Sequence, residues 1–223
     1  MTCILIIAPH PDDETLGCGG TLLRHRDHGD EVHWLVATAM TPEAGYSDEQ
    51  IKKRSAEMEK VRDHFGFAEL HDLSFPPAGT DQVPMKDMVQ ALASVIDSVS
   101  PTTVYVPYGG DVHSDHQMLF RAATSALKSF RAPTVNQILA YETISETDFN
   151  SDPREPGFCP NWYVDITSYL PGKLLAMAIY DGEMAEFPFP RSPEAITALA
   201  HLRGSQCGCY AAEGFVLLRS IAR

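Results

Sequence analysis

The chain has 223 residues, 44% of them hydrophobic, with 17 basic against 30 acidic side chains and a net charge of -13. That length suits a single α/β domain over 1–223 with a sizeable core. The acidic balance argues for no nucleic acid and no anionic membrane as main partner, since both demand basic patches, and no apolar run approaches the length of a membrane span.

The opening run Cys3-Ile4-Leu5-Ile6-Ile7-Ala8 is too short for a secretory signal. Its unbroken apolar pattern predicts a strand buried on both faces of a parallel sheet. Pro9 and Pro11 then end the ladder, because proline supplies no N–H. Around them stand His10, Asp12, Asp13 and Glu14, at the carboxyl end of a strand, where open α/β sheets bind ligands. Acidic residues there also serve as turns and helix starts, so the cluster alone leaves both readings open. Gly17, Gly19 and Gly20 do not make a dinucleotide loop: two are adjacent, and position 22 is Leu.

Helix is predicted over 15–28, stopped by Gly29, and strand over 31–38. A loop over 41–47 leads to a helix over 48–65, capped by Ser47 or Asp48 and closed by Gly66. Strand 70–75, helix 84–99 and strand 102–107 follow. This β-α-β-α-β-α-β alternation predicts a mostly parallel sheet with helices on both faces.

The fourth strand runs into Tyr108-Gly109-Gly110-Asp111-Val112-His113-Ser114-Asp115-His116, then a helix over about 117–130 with Ser114 or Asp115 as cap. His113 and His116 are three apart and can face one way. Protonated imidazoles are unfavourable at a helix N-terminus, and neutral ones binding a metal avoid that penalty. Two donor clusters at two strand ends predict a metal site.

Beyond 130 the alternation loosens into a C-terminal α/β elaboration. Strands are predicted over 137–142 and 162–166, and helices over 168–180 and 194–202. The polar, proline-rich stretch 143–161 reads as a surface loop or lid that gates or shapes the pocket. The closing run 209–218 receives no assignment. The five cysteines are odd in number and are read as reduced thiols of a cytoplasmic protein. Cys207 and Cys209 lack the C-x-x-C spacing and read as small packing residues.

His10-Pro11-Asp12-Asp13-Glu14 together with His113-Ser114-Asp115-His116 resembles the two motifs of the LmbE-like, or PIG-L, zinc-dependent N-deacetylases. Arg54-x-x-Glu57 and the closing Arg203-Gly204-Ser205 with Tyr210-Ala211-Ala212-Glu213-Gly214-Phe215 extend the resemblance over nearly the whole chain. Ser114 stands where proline is common and Gly214 where alanine is. The resemblance implies a Rossmann-like fold and hydrolysis of an N-acetyl group from an amino sugar or sugar conjugate, a nucleotide-linked one included. It makes His10, Asp13 and His116 the metal ligands and Asp12 the general base. It makes His113, oriented by Asp115, the group that stabilises the oxyanion and assists the leaving amine.

The chemistry of these residue types agrees. Two imidazoles and a carboxylate leave zinc a fourth position for water, the catalytic arrangement. Fe²⁺ or Co²⁺ would accept the same donors. Arg54 could hold a sugar hydroxyl or carboxylate, and Tyr108 and Asp111 could line the same pocket as substrate-binding residues. The expected partner is a small N-acetylated sugar, and a homo-oligomer stays open. A non-catalytic metal- or sugar-binding module is the alternative, but it needs neither Asp12 nor His113. A nucleotide-cofactor oxidoreductase needs an acidic residue after the second strand, where Thr38-Ala39-Met40 stands.

Overall fold

The computed structural model describes residues 2–152 and 157–222. The apolar opening run forms β1 (Cys3–Ala8), and its Ile4, Leu5, Ile6 and Ile7 are fully buried. Burying such a side chain stabilises by about 1.5–3 kcal/mol, and β1 lies inside the sheet with a strand on each side. In chain order there follow α1 (Asp13–Asp27), β2 (Glu31–Thr38), α2 (Asp48–Phe65), β3 (Glu69–Phe75), α3 (Met85–Val99), β4 (Thr103–Pro107) and α4 (Ser114–Ala126). Then come β5 (Gln137–Tyr141), β6 (Trp162–Asp165), α5 (Leu170–Met177), α6 (Pro193–Cys207) and β7 (Ala212–Ser220). Among the described residues the strands form one seven-stranded sheet in the order β3-β2-β1-β4-β5-β7-β6. Pairings of β1 with β2 and β4, of β2 with β3, and of β4 with β5 are parallel, while β7 runs antiparallel to both its neighbours.

Strand periodicity splits the core. Ile4 and Ile6 point to the face covered by α1, α2, α5 and α6, and Leu5 and Ile7 to the face covered by α3 and α4. This is the expected α/β sheet with helices on both sides. The C-terminal part belongs to the same sheet: the unassigned closing run is β7, inserted between β5 and β6.

Several boundaries differ from the sequence reading. The helix expected over 168–180 is the shorter α5, and α4 starts at Ser114 with His113 as its cap, three residues before the expected 117. Its cap acceptor is the His113 ring, which accepts from the Asp115 N–H. The last helix runs past 202 to Cys207 because Gly204 lets the returning chain approach: a Cβ there would lie 2.7 Å from the Cys209 carbonyl oxygen.

The glycines after the first motif are packing residues. A Cβ at Gly17 would run into the Tyr141 ring, so α1 lies directly on β5. The Leu16 carbonyl and the Gly20 N–H, four apart in α1, are each held by one member of a buried ion pair. Lys173 Nζ donates to Leu16 O at 2.7 Å, and Glu213 accepts from Gly20 N at 2.9 Å and Thr21 N at 2.7 Å. Lys173 and Glu213 meet at 2.6 Å, with side chains 5% and 4% exposed.

Candidate metal and catalytic centre

Chain connections leave β1 toward β2 and β3 on one side, and the next strand, β4, returns to its other side. The carboxyl ends of β1 and β4 therefore flank a topological switch point, where loops diverge and leave a crevice. The two motifs occupy these two loops.

His10 Nδ1 and His116 Nε2 each lie 3.3 Å from the same oxygen, Asp13 Oδ2. The His10 backbone N–H also donates to that oxygen at 2.9 Å. His116 and Asp13 side chains are 1% exposed, and His10 is 22% exposed toward the crevice. The nitrogens turned away from Asp13 are both engaged. His10 Nε2 lies 2.9 Å from Asp115 Oδ2, and His116 Nδ1 lies 2.8 Å from Asp111 Oδ2. A carboxylate behind each imidazole fixes its orientation and raises its basicity as a ligand.

The fields around this trio favour positive charge. Burial opposes protonation of His10, but hydrogen bonds to Asp115 and Asp13 outweigh it and lift the imidazole to about 9. Burial likewise opposes His116, and the Asp13 charge with the Asp111 hydrogen bond lifts it to about 10. Asp13, despite its burial, is held well below the ordinary carboxylate range by His116 and His10. One divalent cation among these donors carries the charge of the two protons they would otherwise hold. The donor set of two imidazoles and a carboxylate therefore fits a transition-metal dication.

Asp12 stands next to this trio on a strained backbone, with φ 132° and ψ -27°. The strain is held by Glu14, whose Oε2 accepts from the Asp12 N–H at 3.1 Å. Glu14 itself is fully buried and accepts from Tyr180 Oη at 2.8 Å. Burial, then the adjacent Asp13 charge, push the Asp12 carboxyl well above its ordinary range, and Arg191 opposes them. His113 lies across the trio, its ring centroid 4.7 Å from that of His10.

A cavity of about 490 Å³ opens here, with His10, Asp12, Arg54, His113, Glu146 and Arg191 on its polar walls and Met40, Ile51 and Met58 among its apolar ones. That volume is ordinary for a small-ligand site.

Four expectations need correction or refinement. Asp115 does not orient His113 through its side chain: Oδ2 is 3.9 Å from His113 Nδ1. Its oxygens instead take His10, the Ala78 N–H at 2.7 Å and Thr80. The His113 imidazole is lowered by burial and then by the charges of His10 and His116. Asp111 is fully buried behind His116 and does not line the cavity. Tyr108 packs its ring on Phe158, with centroids 5.1 Å apart, and is also absent from the cavity wall. Arg54 does line it, but its guanidinium is spent on Glu183, Glu57 and the Pro11 carbonyl.

Residues 5–127, more than half of the chain, match the family PIG-L: GlcNAc-PI de-N-acetylase. The chain belongs to the PIG-L family. A diacetylchitobiose deacetylase of Thermococcus kodakarensis is 27% identical, over 95% of this chain and 81% of its own. A 1D-myo-inositol 2-acetamido-2-deoxy-alpha-D-glucopyranoside deacetylase of Gordonia bronchialis is 25% identical over 64% of this chain and 63% of its own. The conserved protein TT1542 of Thermus thermophilus superposes with a TM-score of 0.77 at 28% identity, covering 100% of this chain and 97% of that one.

This PIG-L chain brings three site residues that its motifs do not reveal. Arg191 Nη1 donates to Asp12 Oδ2 at 2.7 Å, and Nε donates to Ser145 Oγ at 2.8 Å. Glu183 pairs with both Arg191 and Arg54, and Glu146 closes the same network. Arg191 sits in a proline-rich stretch with no periodicity, so no local pattern points to it. The 143–161 loop contributes Ser145 and Glu146, and Thr147 Oγ1 donates to Asp111 at 2.6 Å. Residues 153–156 of that loop lie outside the described residues. The closing motif is structural: the Arg203 guanidinium forks onto Glu142, and Glu213 holds α1.

Proposed function

We propose that this chain is a metal-dependent N-deacetylase that hydrolyses the acetamide of an N-acetylated amino sugar or its conjugate to the free amine and acetate. The observation that carries the reading is the convergence of His10, Asp13 and His116 on one point, with Asp12 and His113 flanking it on the wall of one cavity. The deacetylase relatives support the reaction class. His10, Asp13 and His116 would hold the metal, with zinc preferred and Fe²⁺ or Co²⁺ acceptable to the same donors. When bound, the cation supplies Lewis acidity for the amide carbonyl and acidifies water.

The chain's own residues do the rest. Asp12 takes the proton of the attacking water, as a carboxylate beside the ligands that does not itself ligate. Arg191 opposes the upward push of burial on the Asp12 carboxyl and fixes its direction. His113 Nδ1 accepts from the Asp115 N–H at 3.1 Å, so the neutral imidazole carries its proton on Nε2. That N–H donates to the oxygen on which negative charge grows. An amide nitrogen must be protonated before it leaves, and the proton taken by Asp12 is delivered there. The apolar wall of Met40, Ile51 and Met58 suits a sugar face. No described helix is long and apolar enough to cross a membrane, and five free thiols fit the reducing cytoplasm.

The test is acetate release from N-acetylglucosamine, N,N'-diacetylchitobiose and nucleotide-linked N-acetylhexosamines by zinc-loaded protein. Release that is abolished with metal loss in His116→Ala supports the reading. A fully metal-loaded chain that releases acetate from none of them overturns it.

A further inference from the structure

Away from the catalytic edge, a second set of metal-type donors stands near the amino ends of β2 and β3. His33 lies in register with Glu69 across the two strands, and His71 follows two residues later on the same side of β3. The group lies five residues upstream of Thr38, about 16 Å along the strand from the catalytic edge. His33 Nδ1 and His71 Nε2 are 3.2 Å apart, and the rings stack with centroids 5.5 Å apart. The Glu69 carboxylate is 3.7 Å from the same His71 nitrogen. Behind His33, Nε2 lies 3.2 Å from Glu31 Oε1.

We propose that His33 Nδ1, His71 Nε2 and the Glu69 carboxylate bind a second transition-metal dication, separate from the catalytic one, that clips β3 to β2. Two nitrogens on one tetrahedral zinc at about 2.0–2.1 Å lie about 3.3 Å apart, close to the spacing observed here. Glu31 stands behind His33 as Asp115 stands behind His10 and Asp111 behind His116: a carboxylate engages the nitrogen that does not ligate. Glu31 and Glu69 together balance the charge of a dication. Two imidazoles and one carboxylate suit zinc, nickel or copper rather than magnesium or calcium. The imidazoles are held, with side chains 10% and 13% exposed, while the Glu69 side chain, 62% exposed, is free to swing the last few tenths of an ångström onto the ion. The site is open to solvent on that side, which gives metal a way in. The strand it fastens, β3, is the edge of the sheet, where one flank of the backbone has no partner strand.

The experiment strips the full chain with chelator, titrates it with Zn²⁺ and counts bound zinc after gel filtration. The wild-type chain is expected to hold two equivalents, and His71→Ala and His116→Ala one each. His71→Ala should keep its catalytic zinc and its acetate release. Glu69→Gln, a change at an exposed position that leaves the core untouched, should weaken the second equivalent about ten-fold or more. One equivalent in the wild-type chain that vanishes in His116→Ala would reduce the His33–His71 contact to a plain hydrogen bond and overturn the proposal. Two equivalents retained in His71→Ala would overturn it as well. Neither outcome touches the deacetylase reading, which stands or falls on acetate release.

Discussion

Replacing Arg191 with methionine removes the cation beside Asp12 while keeping much of the side chain's apolar stem. Asp12 is 5% exposed at its side chain, abuts Asp13, and takes its one charged hydrogen bond from Arg191 at 2.7 Å. Breaking a fully buried pair costs about 3–5 kcal/mol. The Arg191 side chain is 17% exposed on the cavity wall, so water recovers part of that, and about 2–3 kcal/mol is the fitting figure. Because Asp12 acts on the attacking water, the loss should fall on the transition state, a drop of about 30- to 150-fold in kcat. KM should move only a few-fold, since Arg191 acts through Asp12. Arg191→Lys keeps the charge but gives up the fork to Ser145 and Glu146, and should fall between the two. Steady-state acetate release together with zinc content on the same preparations checks this. An unchanged kcat with a raised KM would make Arg191 a substrate contact and refute the reasoning.

Asp12→Asn should retain zinc and lose about 10²–10⁴ in turnover, because general-base assistance goes while the ligands stay; zinc analysis beside acetate release decides it. Lys173→Met leaves Glu213 charged and unpaired against α1, which should cost about 3–5 kcal/mol; urea denaturation measures it, and a loss under about 1 kcal/mol would remove the ion pair from the stability argument. His25 bonds Asp30 through Nδ1 at 2.8 Å and Tyr105 through Nε2 at 2.9 Å, and burial lowers its imidazole below the ordinary value. The unfolded chain therefore takes the proton first: the stabilisation is complete above about 6.5 and is lost as pH falls through the lowered native value. His25→Gln should flatten the stability profile between about pH 7.5 and pH 5 relative to the wild-type chain, as followed by urea midpoints.

Much of this was legible because it is local. Apolar runs and helical spacing mark β1 through α4, and the two polar clusters fall at strand ends because prolines and glycines end the ladder there. The sheet order then made one site of them. The supporting roles were not legible. The family resemblance implied that Asp115 orients His113, but the first turn of α4 points its carboxylate at His10 and the Thr80 turn. Asp111 looked like a loop residue open to substrate, and only the packing of Thr147 over it shows it buried. Arg191 reaches Asp12 from 179 residues away, through a segment with no period to read. The last helix runs beyond the expected 202 through Gly204, where two backbones cross closely.

The ion pair across α1 also sets an order of events in the cell. Gly20 is synthesised 193 residues before Glu213 accepts from its N–H. At about 5–20 residues per second, that is an interval of about 10–40 s. Until then the Gly20 and Thr21 N–H groups lack the carboxylate that accepts from them, while Lys173, which donates to Leu16 O, precedes Glu213 by 40 residues. A nascent chain that has passed His116 but not Glu213 carries both motifs in full, yet its α1 is not fastened to the strand that fixes it. On the proposed ligand set, a metal met in that interval would find His10, Asp13 and His116 before the framework that aligns them.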